Sequence, residues 1–272
     1  MSISSTVIEG AEIRFYPPEV ALCPHVGCFW AITARPGAIM RLVPDGTTSI
    51  VFERNAASPC VGYLRGPLLA PVQRTFSNST TLMGVRLRPG VAFNLTSVPM
   101  HTLVGRRSPL SEFSALSALS ALSALASISQ VDHSPEQMIV KLQNALSERL
   151  AATHINRIVE RALAEIHTTR GDILVSELAV RCDTSERHLG RLMREWIGYG
   201  PKRYAAVVRF QSSLASMERA PQAPVASLAT ESGYFDQAHM NADVTRFSGD
   251  TPGQLIEDRV SDFSKTHCDV PF

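Results

Sequence analysis

What this 272-residue chain lacks narrows it first. No apolar run approaches the roughly 18 residues that a membrane-spanning helix needs. Hydrophobic residues still make up 44% of the sequence, enough to build ordinary cores. The opening stretch MSISSTVIEGAEIRFYPPEV has neither the basic start nor the apolar middle of a secretion signal. Cysteines number five, odd and widely scattered, which excludes a disulfide framework and points to a reducing compartment. A cytoplasmic protein with no membrane partner is the expectation.

Chemistry-bearing clusters are missing too. His25 and His101 stand alone, without the close histidine pair and downstream Glu and His of a metal site. The Cys23-x4-Cys28 spacing lies within the zinc range, but no second Cys/His pair follows it. Each of Cys23, Cys28 and Cys60 is better read as a small hydrophobe. No nucleophile–base pair and no phosphate-cradling glycine loop is present. The chain is therefore expected to be no enzyme and to carry no metal and no cofactor.

Net charge is +1, and from residue 151 onward 14 Lys and Arg face 16 Asp and Glu. The balance is local, however. Ser185–Phe210 holds Arg187, Arg191, Arg194, Lys202, Arg203 and Arg209 against only Glu186 and Glu195. The stretch VSELAVRCDTSERHLGRLMREW predicts a short helix (Val175–Arg181), a turn at Cys182-Asp183-Thr184, and a second helix capped by Ser185. On a helical wheel Leu189, Leu192, Met193 and Trp196 share one stripe, the pattern of a face packed on a core. Arg187, Arg191 and Arg194 lie opposite with Gly190 beside them, and a helix so armed can enter a major groove.

The pattern occurs twice. Shifted by 51 residues, Leu189 matches Met240, Trp196 matches Phe247, Gly198 matches Gly249 and Pro201 matches Pro252. Leu178-Ala179 matches Leu228-Ala229 at a shift of 50, so the second turn, Gly233-Tyr234-Phe235, is one residue longer, with Asp236 as the cap. Duplication of this kind outweighs any single motif. The outward face of the second reading helix is Ala238, Asn241, Ala242 and Thr245, with Gln237 at its start. Asn241 has the chemistry to grip an adenine through paired hydrogen bonds.

With SERHLGRLMREWIGYGPKRY, the connecting R-F-Q, and LATESGYFDQAHMNADVTRFSGDTPGQL, residues 154–256 resemble the bipartite DNA-binding domain of AraC/XylS-type transcription regulators. The most specific piece is G-Y-F-D-Q-A-H followed by R-F-x-G-x-T-P. The resemblance implies a bacterial regulator that reads two successive major grooves of promoter or operator duplex DNA, with RNA polymerase as a further partner. Two departures stand in the second unit, where Ala242 replaces an arginine frequent in the family and Val244 an aromatic. Arg209 matches a family arginine, and its role is either a salt bridge bracing the two units or a phosphate contact.

In residues 12–110, apolar runs (Ala21–Ile32, Ile50–Glu53, Thr81–Leu87) alternate with Pro17-Pro18, Pro36-Gly37, Pro44-Asp45-Gly46 and Pro89-Gly90. Such pairs predict hairpins and tight turns, and so a small barrel or sandwich. RLVPDGTTSIVF and MGVRLRPGVAFNL resemble the cupin-like sensory domains attached to some such regulators, which implies an unidentified small-molecule effector. Ser114–Ser129, SALSALSALSALASIS, is either a low-complexity expansion or a dimerising helix. Ser134–Leu150 predicts a helix whose Ile139, Leu142, Leu146 and Leu150 suit packing on the N-terminal half or on a second subunit of a homodimer.

The expected class is α+β and multi-domain, a β-rich barrel-like N-terminal domain followed by an all-α bipartite helix-turn-helix domain. Its expected divisions are residues 1–113 (sensor), 114–150 (linker and connecting helix), 151–260 (DNA reader) and 261–272 (tail). The competing reading is a ligand-binding protein or enzyme whose helical half is a degenerate interaction module, an alternative kept open by the acidic second unit.

Overall fold

The computed structural model describes residues 4–8, 10–55, 57–113, 134–150 and 153–257. The SAL repeat and the tail lie outside the described residues. The first half forms nine strands: β1 (Ser4–Ile8), β2 (Ala11–Tyr16), β3 (Val26–Ala34), β4 (Ile39–Leu42), β5 (Thr48–Asn55), β6 (Ser58–Arg65), β7 (Val72–Thr75), β8 (Thr80–Leu87) and β9 (Arg107–Pro109). Seven make one antiparallel sheet in the order β1-β2-β3-β8-β5-β6-β9, while β4 and β7 pair as a separate ribbon. Trp30 on β3 sits opposite Gly84 on β8. A Cβ at Gly84 would stand 2.5 Å from the Ile50 carbonyl oxygen and 2.7 Å from the Trp30 ring, so glycine is what lets these strands close up.

Strand β3 reads VGCFWAITA, almost unbroken in apolar residues, because both faces of the sheet are covered. Phe29 and Ala31 join Ile50, Phe52 and Met83 in one core, and Trp30 and Ile32 join Val51 and Leu82 in the other. The ribbon closes the second face through Met40 and the adjoining Phe76. Helix α2 (Pro135–Leu150) closes the first, following α1 (Val91–Thr96) in the chain. Met138, Ile139, Leu142, Leu146 and Leu150 are all fully buried there. The start of α2 is a reciprocal cap. The Ser134 N–H donates to Gln137 Oε1 at 3.0 Å, and the Gln137 N–H donates to Ser134 Oγ at 3.4 Å.

One expectation for this half changes. The sheet is open and not barrel-like: β1 and β9 lie at opposite edges, with α2 over one face and the β4–β7 ribbon over the other. Pro89-Gly90 is a tight turn as expected, the Val91 N–H donating to the Arg88 carbonyl at 3.2 Å, and it leads from β8 into α1 with Gly90 at φ 89°. Of the two packings expected for the helix at 134–150, on the N-terminal half or on a second subunit, α2 shows the first, built into the N-terminal core.

The second half is helical: α3 (Arg157–Thr168), α4 (Val175–Arg181), α5 (Glu186–Ile197), α6 (Pro201–Arg219), α7 (Val225–Glu231), α8 (Gln237–Ser248) and α9 (Pro252–Glu257). Around α6 two cores form. Tyr204, Ala205 and Val208 enter the core of α3–α5, while Val207, Phe210, Leu214 and Met217 enter that of α7–α9. A helix shared between two cores is buried on more than one side, which is why its sequence shows no single apolar stripe. Among the described residues no helix is long and apolar enough to cross a membrane.

Candidate nucleic-acid interface

Each half of the helical region is a helix, a tight turn and a second, longer helix. In the first, the turn places Asp183 in the left-handed region at φ 51°, and the Thr184 N–H donates to the Ala179 carbonyl at 3.0 Å. In the second, Gly233 takes that conformation at φ 81°, and the Tyr234 N–H donates to the Ala229 carbonyl at 3.0 Å. Phe235 is the extra residue of the longer turn. Ser185 Oγ then accepts the His188 N–H at 3.2 Å to start α5, and Asp236 Oδ1 accepts the His239 N–H at 2.7 Å to start α8. Both helices stop at a left-handed glycine, Gly198 at φ 92° and Gly249 at φ 87°.

The stripe of α5 packs as its spacing requires. Leu189, Leu192 and Met193 are buried. Trp196 is half-buried, packed at the edge of that core and also against the N-terminal domain, its ring 4.6 Å from that of Phe93 on α1. On the other side Arg187, Arg191 and Arg194 are exposed. Gly190 is not part of that open face. It is buried, and the Arg194 guanidinium would meet a Cβ there at 3.6 Å, so the arginine lies over the glycine. Nor is the arginine face free of carboxylates. Arg191 pairs with Glu195 one turn on at 3.1 Å and meets His188 Nδ1 at 3.4 Å.

On α8, Gln237, Ala238, Ala242 and Thr245 are exposed. Asn241 is half-buried, and its Oδ1 is buried without a hydrogen-bond partner. Gripping an adenine needs that oxygen to accept from the base, so the paired bond expected of Asn241 is not available in this rotamer. Two acidic groups of this unit are paired, one buried and one at the surface. Asp243 is buried on α8 between Arg246 at 2.9 Å, Arg209 at 3.9 Å and His239 at 3.9 Å. Glu231 pairs with Arg219 at 3.0 Å. Arg209 also donates to the Gly171 carbonyl at 2.6 Å and lies over the Tyr234 ring, so it braces the two units from within.

Sequence reasoning missed a seam that joins the N-terminal domain to both units. Toward the first, the Tyr199 hydroxyl donates to the Leu68 carbonyl, and a Cβ at Gly198 would strike Val104 at 2.9 Å. Toward the second, Gln211 donates to the Pro44 carbonyl at 2.6 Å, Arg41 pairs with Asp250 at 3.0 Å, and Val43 joins the core of α7–α9. Burial, and next to it the Asp45 carboxylate, pushes the Tyr199 and Tyr204 phenols up. Burial, with the Arg88 charge behind it, lowers His167 to about 4, where its Nε2 lies 2.9 Å from the Tyr204 hydroxyl. Among the described residues no group of three or more His, Cys, Asp or Glu could hold a metal.

Two helix-turn-helix units sharing one helix define the class of this half as a nucleic-acid-binding domain. Comparison makes the type plain: residues 178–258 match the family described as a helix-turn-helix domain, and the chain carries an AraC-type domain of this kind. Residues 14–109 match a domain of unknown function (DUF6597). No curated protein matches the chain in sequence. Among solved structures, ToxT from Vibrio cholerae O395 superposes with a TM-score of 0.43 at 10% identity, over 93% of this chain and 99% of that one. A second ToxT structure from Vibrio cholerae gives 0.43 at 9% identity, over 84% and 98%. Likeness at that level says nothing of ligands or activity.

Proposed function

We propose that the chain is a sequence-specific, double-stranded-DNA-binding transcription regulator whose helices α5 and α8 enter successive major grooves. The observation that carries this reading is the exposed triad Arg187, Arg191 and Arg194 on a helix held from behind by three buried apolar residues. Arginine grips guanine O6 and N7 with two hydrogen bonds, and each such pair discriminates by about 1–3 kcal/mol. Gln237, Ala238, Ala242 and Thr245 form the second contact face. Helix α6, at about 28 Å for 19 residues, spaces the two units close to one turn of duplex, about 34 Å.

The reader begins near His154, and the sensing unit is residues 1–113 together with α2. In that unit a cavity of about 410 Å³ opens among Val61, Tyr63, Arg107, Pro109 and Leu110, a size suited to a small-molecule effector. Cytoplasmic location, a homodimer and contact with RNA polymerase complete the reading. The competing view of a degenerate interaction module drew on the acidic second unit, in which Asp243 is buried against Arg246 and Glu231 pairs with Arg219 at the surface.

The test is a gel shift of the full chain on its own upstream DNA at rising salt. A specific complex is expected, its log affinity falling linearly with log salt as phosphate counterions are released. Absence of any sequence-dependent complex at low salt overturns the proposal.

A further inference from the structure

At equivalent positions the two reading helices carry different chemistry. Arg187, Arg191 and Arg194 of α5 correspond to Ala238, Ala242 and Thr245 of α8, and all six are exposed. Every guanidinium of the first face is thus replaced by a side chain presenting a methyl group. Ahead of that face stands Phe235, 93% exposed. A residue just before a helix cap commonly packs on the fourth helical residue, here Met240. Met240 is fully buried without it, and the neighbouring Tyr234 supplies the aromatic of the core. Phe235 therefore does no packing in this fold.

Two nearby polar side chains are turned toward the protein. Asn241 Oδ1 is buried, and His239 lies edge-on to Tyr234 at 5.2 Å and 3.9 Å from Asp243. Gln237 is the remaining long polar side chain on the leading turn of α8. On the major-groove edge of duplex DNA the one apolar feature is the C5-methyl group of thymine, met by alanine, threonine methyl and phenylalanine side chains. Resting on the DNA-binding reading above, we infer that the second unit recognises thymine C5-methyl groups, with Phe235 as its specificity-determining residue and Ala238, Ala242 and Thr245 completing the contact.

The experiment takes duplexes enriched from a randomised pool by the full chain and replaces single thymines with deoxyuridine, which removes the methyl and nothing else. Under α8, each contacted thymine is expected to lose about three- to fourfold in affinity, the worth of one buried methylene-sized group. Under α5, the same replacement is expected to stay within twofold. Phe235→Ala, at an exposed site whose loss leaves circular dichroism unchanged, is expected to weaken binding to the thymine duplex and to erase the deoxyuridine effect at its step. Enrichment with deoxyuridine harmless under α8 overturns this inference while leaving DNA binding standing. A Phe235→Ala loss equal on thymine and deoxyuridine duplexes overturns the role given to Phe235, as does unchanged DNA binding with altered self-association. Failure to enrich any sequence overturns the DNA-binding reading, and this inference with it.

Discussion

The two helix-turn-helix units are one scaffold with two outer surfaces. Their caps (Ser185 and Asp236), left-handed turn residues (Asp183 and Gly233) and terminal glycines (Gly198 and Gly249) occupy equivalent places and make equivalent bonds. Charge is distributed in opposite ways. The first unit turns three arginines outward, whereas the second draws Asp243 and Arg209 inward, and Asp243 stands where the first has the buried Leu192. A few cap and core positions are thus enough to hold the shape, and the reading face is left free to diverge.

The widest test of that contrast is Asp243→Ala. Removing the buried carboxylate leaves Arg209 without its ionic partner, and unfolding stability in urea is expected to fall by about 3 kcal/mol. Unchanged stability with tighter DNA binding would mean that Asp243 is an outward acidic charge, and the contrast would fail. Next comes Arg191→Ala, expected to weaken specific binding by about 1–3 kcal/mol and relax preference at one base pair, with melting unchanged. Operator affinity equal to that of the parent chain would remove α5 as the principal reader.

Acid should separate the units more gently. His167 of the first unit, held at about 4 by burial, is neutral when folded, while the unfolded imidazole titrates near 6.5. Its contribution is whole above pH 6.5, declines as the pH falls from there toward 4, and declines no further below. The expected loss is about 1 kcal/mol at pH 5.5, and His167→Gln should flatten it in a stability–pH series. Smallest is Glu195→Gln, which frees Arg191 from an exposed pair worth ~0.5 kcal/mol. About twofold tighter DNA binding is expected in the same gel shift, and weaker binding would show that Glu195 positions the arginine.

Most of the helical half was legible because its signals are local. Ser185, Asp236 and the apolar spacing of Leu189, Leu192 and Met193 announce their roles within a single turn of helix. So does Ser134, whose partner Gln137 is three residues away. Sheet closure was not legible, since whether β1 meets β9 depends on strands a hundred residues apart and on α2 covering the face between. Gly190 and Asn241 were placed on the groove face by angle alone. A wheel carries no record of Arg194 folding back over one or of burial of the other's oxygen. The pairing of the second unit's carboxylates was only partly legible: Arg246 lies three residues from Asp243, but Arg209 and Arg219 come from α6. Trp196 was rightly apolar, but nothing in its own helix names Phe93 as its neighbour.

The seam between the domains gives the N-terminal half authority over a quantity that it never touches. Leu68 holds Tyr199 beside the first reading helix, while Pro44 and Arg41 hold Gln211 and Asp250 beside the second. On the proposed reading, these contacts work with α6 as the jaws of a caliper, whose gap is the number of base pairs between half-sites. Drift at Arg41 or Gln211, whose side chains make these contacts, would then shift the preferred spacer length while each helix kept the bases it recognises.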